Sequence, residues 1–226
     1  RKINTNINRT AVINPITLLS LVLLSTPNHA IDEDVLVQQL NLYKKIAEQL
    51  PYDSLIEITP LNGAGIISYG VQLKAIQRVK HPLGDLICVA DNQAIFLTYF
   101  RNNILHLFIL PSLVACLMQH NGQLQREQMV SVIASLYPYL QSELFLPWDL
   151  AEIEGLVNQH IDALIDAQLL TSHEETIISP QPNTEAYAQL VILGEAVKET
   201  IERYYMTISL LTRRGSGSSN QKQLED

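Results

Sequence analysis

His29 and Asp34 stand in the order H-x-x-x-x-D, a spacing at which an imidazole can serve as general base while a carboxylate orients it. A working pair of this kind needs a Gly- and Arg-bearing phosphate-binding segment after it, and none follows. Asp32, Glu33 and Asp34 have a simpler explanation as the acidic first turn of a helix, where carboxylates meet the positive end of the helix dipole. In a chain with six histidines the spacing alone is a weak signal. The sequence thus predicts no catalytic residue.

The other side chains with chemical potential are scattered. Gly63-Ala64-Gly65 has no strand ahead of it and lacks the third glycine of a dinucleotide loop, so it reads as a helix start. His81, His120, His160 and His173 lack metal-ligand spacing, which predicts loop or surface positions and no metal site. No Ser/His/Asp set or phosphate loop is defensible, and no cofactor is implied. Cys88 and Cys116 lie in apolar runs without a C-x-x-C partner, so buried thiols in a reducing compartment are expected.

Charge narrows the partners. Fifteen basic residues against 23 acidic ones give a net charge of −8, which argues against nucleic acid, because binding a polyanion requires clustered Lys and Arg. Charged residues make up 17% of the chain and hydrophobic ones 47%. That charged share is below the roughly 25% of an average soluble protein, and leaves apolar surface available to a partner or to lipid. The apolar stretches 11–26 and 104–121 are interrupted by Asn14, Pro15 and Ser20, and by His106, Pro111, Gln119 and His120. A spanning helix needs about 20 mainly apolar residues, so both stretches are expected as core helices, with flat docking on a membrane surface left open. Arg1 and Lys2 are followed by the polar run Asn4 to Thr10 and no cleavage site, which does not resemble a signal peptide. Both ends read as cuts inside a longer intracellular protein.

The elements that must position these residues are mainly helical. Residues 16–24 form a buried helix with Pro15 in its first turn, where a missing N–H costs nothing. Val35, Leu36, Leu40, Tyr43, Ile46 and Leu50 follow helical spacing until Pro51. A third helix is expected over 63–79, then a hairpin of strands 86–90 and 94–99 around Asp91-Asn92-Gln93. The order then recurs: helices over 102–120, 125–145 and 148–167, and a hairpin of 169–172 and 176–179. A final helix over 185–211 precedes a fresh helix start at Ser219.

This pattern predicts a mainly α fold of tandem winged-helix-like units, each of three helices plus a short β-hairpin. The units are expected at 11–99 and 100–180, with 183–226 forming a long helix and the start of a truncated third unit. The third helix of the first unit holds only Lys74 and Arg78, and that of the second holds no basic residue, so scaffolding or docking is expected rather than DNA binding.

One string is distinctive: Tyr99-Phe100-Arg101-Asn102-Asn103-Ile104-Leu105-His106, followed by Leu110-Pro111-Ser112-Leu113. Together with Leu136-Tyr137-Pro138, Glu143-Leu144-Phe145-Leu146, Trp148 and Glu202-Arg203-Tyr204, it resembles the C-terminal portion of bacterial membrane-associated glycerol-3-phosphate 1-O-acyltransferase, from about Ile13 to Glu225. The resemblance implies that a separate acyltransferase domain, N-terminal to this region, carries the H-x-x-x-x-D and phosphate-binding blocks. His29 would then fall in a variable loop. It further implies a parent enzyme at the cytoplasmic face of the bacterial inner membrane, transferring a fatty acyl group from acyl-CoA or acyl-acyl carrier protein to the sn-1 hydroxyl of glycerol 3-phosphate for phospholipid synthesis. This chain would be its scaffold, inactive alone, with the catalytic domain and the membrane surface as partners. The rivals are a tandem winged-helix regulatory or interaction module and a complete small enzyme using His29.

Within that resemblance, Tyr99, Arg101, Asn102, Asn103, His106, Glu143 and Trp148 are the candidate interdomain or structural contacts. Asn102 or Asn103 is expected to cap the long apolar helix. Arg101 is expected either to snorkel from a core edge or to form a bidentate pair with a carboxylate. Its partner would be Glu143 or an acidic residue of the catalytic domain.

Overall fold

The computed structural model describes residues 2–80, 82 and 84–214. The chain enters through α1 (Lys2–Arg9) and the short β1 (Val12–Ile13), then turns at Asn14 into α2 (Pro15–Leu24). Asn14 caps α2 reciprocally: its side chain accepts from the Thr17 amide at 3.0 Å, and the Thr17 hydroxyl accepts from the Asn14 amide at 3.1 Å. Every residue from Ile16 to Leu23 is buried, so α2 is an interior helix with no solvent face.

After β2 (Ala30–Asp32), the Asp32 carboxylate accepts from the amides of Asp34 at 2.9 Å and Val35 at 3.3 Å and starts α3 (Glu33–Gln49). The acidic run is therefore a helix N-terminus, as its composition implied. β3 (Glu57–Ile58) pairs in parallel with β1. Asn62 then caps α4 (Gly63–Gln72) through the Gly65 amide at 2.9 Å. β4 (Ile76–Val79) and β5 (Leu86–Val89) follow, and with β2 they form an antiparallel sheet in the order β2-β5-β4.

The second half repeats this order. α5 (Ala94–Ile104) leads through a short 3-10 turn into α6 (Ile109–His120), then β6 (Gln123–Gln125), α7 (Arg126–Leu144) and α8 (Leu150–Asp166). β7 (Thr171–His173) and β8 (Thr176–Ile178) close an antiparallel sheet in the order β6-β8-β7. Helix, strand, helix, helix, hairpin thus occurs twice, with the first strand beside the last in both sheets. α9 (Glu185–Arg214) lies against α6 and reaches α2. The fold is mainly helical, and one hydrophobic cluster runs through both halves, from Leu18 and Tyr43 to Met129 and Leu193.

Three expectations are corrected. The helix expected over 63–79 stops at Gln72, because Lys74 takes the left-handed conformation at φ 56° and turns the chain into β4. The first hairpin is consequently β4 with β5, and 94–99 is the start of α5, whose buried Leu97 and Ile104 lie seven residues apart on one helical face. The helix expected over 102–120 is two helices meeting at 91°. Pro111 sits in the first turn of α6, where its missing N–H leaves no bond unmade. The second hairpin and the helices over 125–145 and 148–167 match within two residues. The helix start at Ser219 lies outside the described residues. Among those described, no single helix is long and apolar enough to cross a membrane, and the bent α5–α6 pair meets the length and composition only when taken together.

Close backbone contact sets a testable limit at Gly63. A Cβ there would lie 2.4 Å from the Val37 carbonyl oxygen and 2.9 Å from the Val37 Cα, so Gly63→Ala forces α4 away from α3. The expected loss is about 1–3 kcal/mol, read as a lower melting temperature. Gly155, on the exposed side of α8, has no atom within 4 Å of a built Cβ. Gly155→Ala is expected to raise stability by about 0.5–1 kcal/mol through helix propensity.

Candidate functional site

The signature segment begins on α5 and looks in two directions. Inward, Arg101 reaches across to α9, where its Nη1 donates to Glu199 Oε2 at 2.8 Å while its Nε donates to Asn102 Oδ1 at 3.3 Å. The carboxylate partner is thus within the chain, but it is Glu199 rather than Glu143. Glu143 accepts from Arg203 at 2.9 Å. Glu199 and Arg203 are four residues apart, so successive turns of α9 hold α5 and α7 respectively. Asn102 and Asn103 lie at the C-terminal end of α5 and cap no N-terminus, because the helix starts eight residues earlier than Asn102.

Below Arg101 is a cleft of about 480 Å³ lined by Ser25, Thr26, Arg101, Glu195, Lys198 and Glu199. Its two cations are already paired, Lys198 with Glu195 at 3.1 Å.

His106 lies just beyond α5, buried, with Nε2 3.1 Å from the carbonyl oxygen of Asn8. Its ring meets Tyr52 edge-on at 5.1 Å, and Tyr52 meets Trp148 at 4.8 Å. The Trp148 carbonyl accepts from the Tyr137 hydroxyl and from Gln141 Nε2, each at 2.6 Å. Asn8 in turn donates from Nδ2 to the Leu144 carbonyl at 2.6 Å. His106, Tyr137 and Trp148, drawn from separate motifs, are thus brought into one aromatic and hydrogen-bonded chain joining α1, α7 and the turn after α5. Tyr52 and Asn8 complete it. Sequence reasoning missed both, because Tyr52 lies in a linker and Asn8 in a polar run, and an isolated aromatic after Pro51 was the sole local signal.

Burial pushes the His106 imidazole down to about 4, opposed by its contact with the Asn8 carbonyl. It is neutral at pH 7, and the contact to a carbonyl assigns the proton to Nε2. Burial also pushes the Tyr52 hydroxyl well above its ordinary range. Neither group faces a nucleophile, so the cluster has the chemistry of a structural joint rather than of an acid–base pair.

His29 and Asp34 stand apart from this cluster. Both are exposed, His29 at φ 53° ahead of β2, and no hydrogen bond joins them. Among the described residues no group of three or more His, Cys, Asp or Glu could hold a metal ion. Cys88 and Cys116 are free and only half-buried, and burial raises the Cys116 thiol. His120 and His173 are exposed as expected, whereas His160 is buried on α8 with Nδ1 unpaired, and burial pushes it down to about 4. His81 lies outside the described residues.

Two expected outcomes follow from these neutral histidines and from the Arg101 pair. An unfolded imidazole titrates near about 6.5, so each folded-state value near 4 gives stability that is complete above pH 6.5 and is lost as pH falls towards 4. Each histidine is expected to cost about 2 kcal/mol between pH 7 and pH 5, and His160→Leu is expected to remove half of that slope in melts at both pH values. Arg101→Ala is expected to cost about 1–2 kcal/mol through lost packing and pairing. Glu199→Gln, at the exposed end of the same bridge, is expected to cost under about 1 kcal/mol.

The chain has known relatives over its whole length. Residues 1–226 match the family described as the glycerol-3-phosphate acyltransferase C-terminal region. A glycerol-3-phosphate acyltransferase of Pseudomonas paraeruginosa is 36% identical over 221 residues, covering 98% of this chain and 26% of the relative. One from Xylella fastidiosa is 39% identical over 229 residues, covering 100% of this chain and 26% of the relative. The chain therefore spans about a quarter of the length of these relatives. With the match running from its first residue to its last, the chain belongs to the family of the glycerol-3-phosphate acyltransferase C-terminal region.

Proposed function

We propose that this chain is the non-catalytic scaffold of a glycerol-3-phosphate 1-O-acyltransferase. The parent enzyme moves a fatty acyl group from acyl-CoA or acyl-acyl carrier protein to the sn-1 hydroxyl of glycerol 3-phosphate, at the cytoplasmic face of the bacterial inner membrane. The catalytic base belongs to an N-terminal acyltransferase domain. The observation that carries this reading is the state of His29 and Asp34: both exposed, not hydrogen-bonded to one another, and with Asp32 rather than Asp34 serving as the helix cap. A His–Asp base pair needs the contact these two lack.

The two repeats are read as winged-helix-like units. The twin sheet orders β2-β5-β4 and β6-β8-β7 support this, as does the helix, strand, helix, helix, hairpin order. In such a unit the third helix is the reading element. α4 and α8 carry no Lys or Arg, and α8 exposes Glu152, Glu154 and Asp162. These helices favour a packing role over contact with a polyanion.

In the full-length protein, His29→Ala and Asp34→Asn are expected to leave kcat and KM within about twofold of the parent. General-base removal lowers turnover by about 10²–10⁴. A loss of that size in a variant with an unchanged melting temperature would overturn the scaffold reading and restore His29 as the base.

A further inference from the structure

The outward face of α5 is the half of the signature segment that this chain leaves unused. Leu97 and Ile104 are buried and Arg101 is paired with Glu199. On the other side Ile95, Phe96 and Tyr99 are 88%, 51% and 66% exposed. Asn102 and Asn103 continue the stripe one turn beyond Tyr99. The Asn103 side chain makes no hydrogen bond among the described residues.

The stripe does not end with α5. A groove of about 380 Å³ runs from Asn102 and Asn103 to Ile7 and Asn8 of α1. Ile3 and Ile7, one turn apart, are 76% and 62% exposed and extend the apolar surface along α1. Singly exposed apolar residues need no explanation, but a contiguous set of them marks a contact surface.

The chemistry of the groove selects its occupant. Its lining is amide, hydroxyl, imidazole and apolar, with no Lys or Arg, so it is poorly suited to a phosphate ester, which calls for charge-assisted donors. Side-chain amides offer a donor and an acceptor together, which matches the peptide main chain. A membrane surface fits less well. An interfacial helix carries free Lys and Arg along its apolar face; here α1 has only Lys2 and Arg9 at its two ends, Arg9 is paired with Asp53 at 3.0 Å, and the chain as a whole carries net charge −8.

We propose that the strip formed by α5 and α1 is the surface on which the preceding part of the same polypeptide, its acyltransferase domain, docks. This rests on the scaffold reading above and names where the scaffold is gripped. The matched family is a C-terminal region, and this region covers 26% of its relatives, so the larger part of the relatives precedes it. That larger part connects through α1, whose Ile3 and Ile7 belong to the strip. The preceding domain therefore reaches this surface at its own edge. Ile95 and Tyr99 pack against it, while Asn102 and Asn103 bond to its main chain.

Photocrosslinking of the full-length enzyme in its native membrane tests the proposal. A benzoylphenylalanine replacing Ile95, and separately one replacing Tyr99, is expected to crosslink within the chain to peptides that precede residue 1, identified by mass spectrometry. The same group replacing Leu150, exposed on the second repeat, serves as the control and is expected to give none of these. Crosslinks to lipid, to a second copy, to residues 1–226 alone, or at no more than the control level would each overturn the docking surface. The His29→Ala assay separates the two ideas. An active His29→Ala enzyme with crosslinks to lipid removes the docking surface and keeps the scaffold, whereas an inactive, folded His29→Ala enzyme removes the scaffold whatever the crosslinks show.

Discussion

The close approach of α9 to the backbone of α6 is the constraint on which most of the structure hangs. It is possible only because residue 194 is glycine: a Cβ there would lie 2.9 Å from the Cys116 amide nitrogen and 3.0 Å from the Cys116 Cα. At that separation Leu190, Leu193 and Val197 sink fully into the core along one helical stripe. The polar contacts of α9 depend on the same placement. Gln39 donates to the Gln189 carbonyl at 3.1 Å, and Gln119 donates to Glu195 at 3.0 Å. Arg101 and Glu143 can meet Glu199 and Arg203 only once the helix has been set at that depth.

A second joint ties the start of the chain to the middle of the second repeat. Asn8 is hydrogen-bonded to Leu144, His106 to Asn8, and Tyr52 stacks between His106 and Trp148. An uncharged imidazole suits this position because it can be buried with one donor satisfied, whereas a charged side chain would need an ion partner that the cluster does not contain. The same burial that makes His106 a good joint makes it a poor base at neutral pH. Structural and catalytic demands on a histidine point in opposite directions here, and the geometry meets the structural one.

Much of the helical framework was legible because its signals are local. Pro15 in a first turn, the acid run at Asp32 and Gly63-Ala64-Gly65 mark three helix starts within a few residues of each start. The misreadings arose where no local signal decides. Residues 94–99 form a short apolar run with β-branched and aromatic side chains after a turn, enough to pass as a strand, and only the burial of Leu97 with Ile104 reveals the helix. The 91° turn between α5 and α6 falls between Leu107 and Ile109, with no Gly or Pro at the bend itself. The strands β2 and β6 are three residues each, too short to show a period. Glu199 lies 98 residues from Arg101, and pairing over that distance is a property of the packed helices rather than of any spacing. Glu143 was the wrong partner because its place in a well-matched segment reflects a different bridge, to Arg203.

The low charged fraction of the sequence acquires a location in the fold. An ordinary soluble surface is about a quarter to a third charged side chains, and the outer strip of α5 and α1 instead presents isoleucine, aromatic and amide groups. Leu97, Arg101 and Ile104 already fasten α5 to its neighbours, so the exposed Ile95, Ile3 and Ile7 are left over from the internal packing. The signature segment therefore meets two separate demands on one helix. One face is shaped by the core and by Glu199. The other is shaped by something that excludes water from Ile95 and Tyr99, because uncovered apolar surface of this kind promotes association. A helix under both demands tolerates few substitutions at successive positions, which gives a physical reason for a distinctive string on α5.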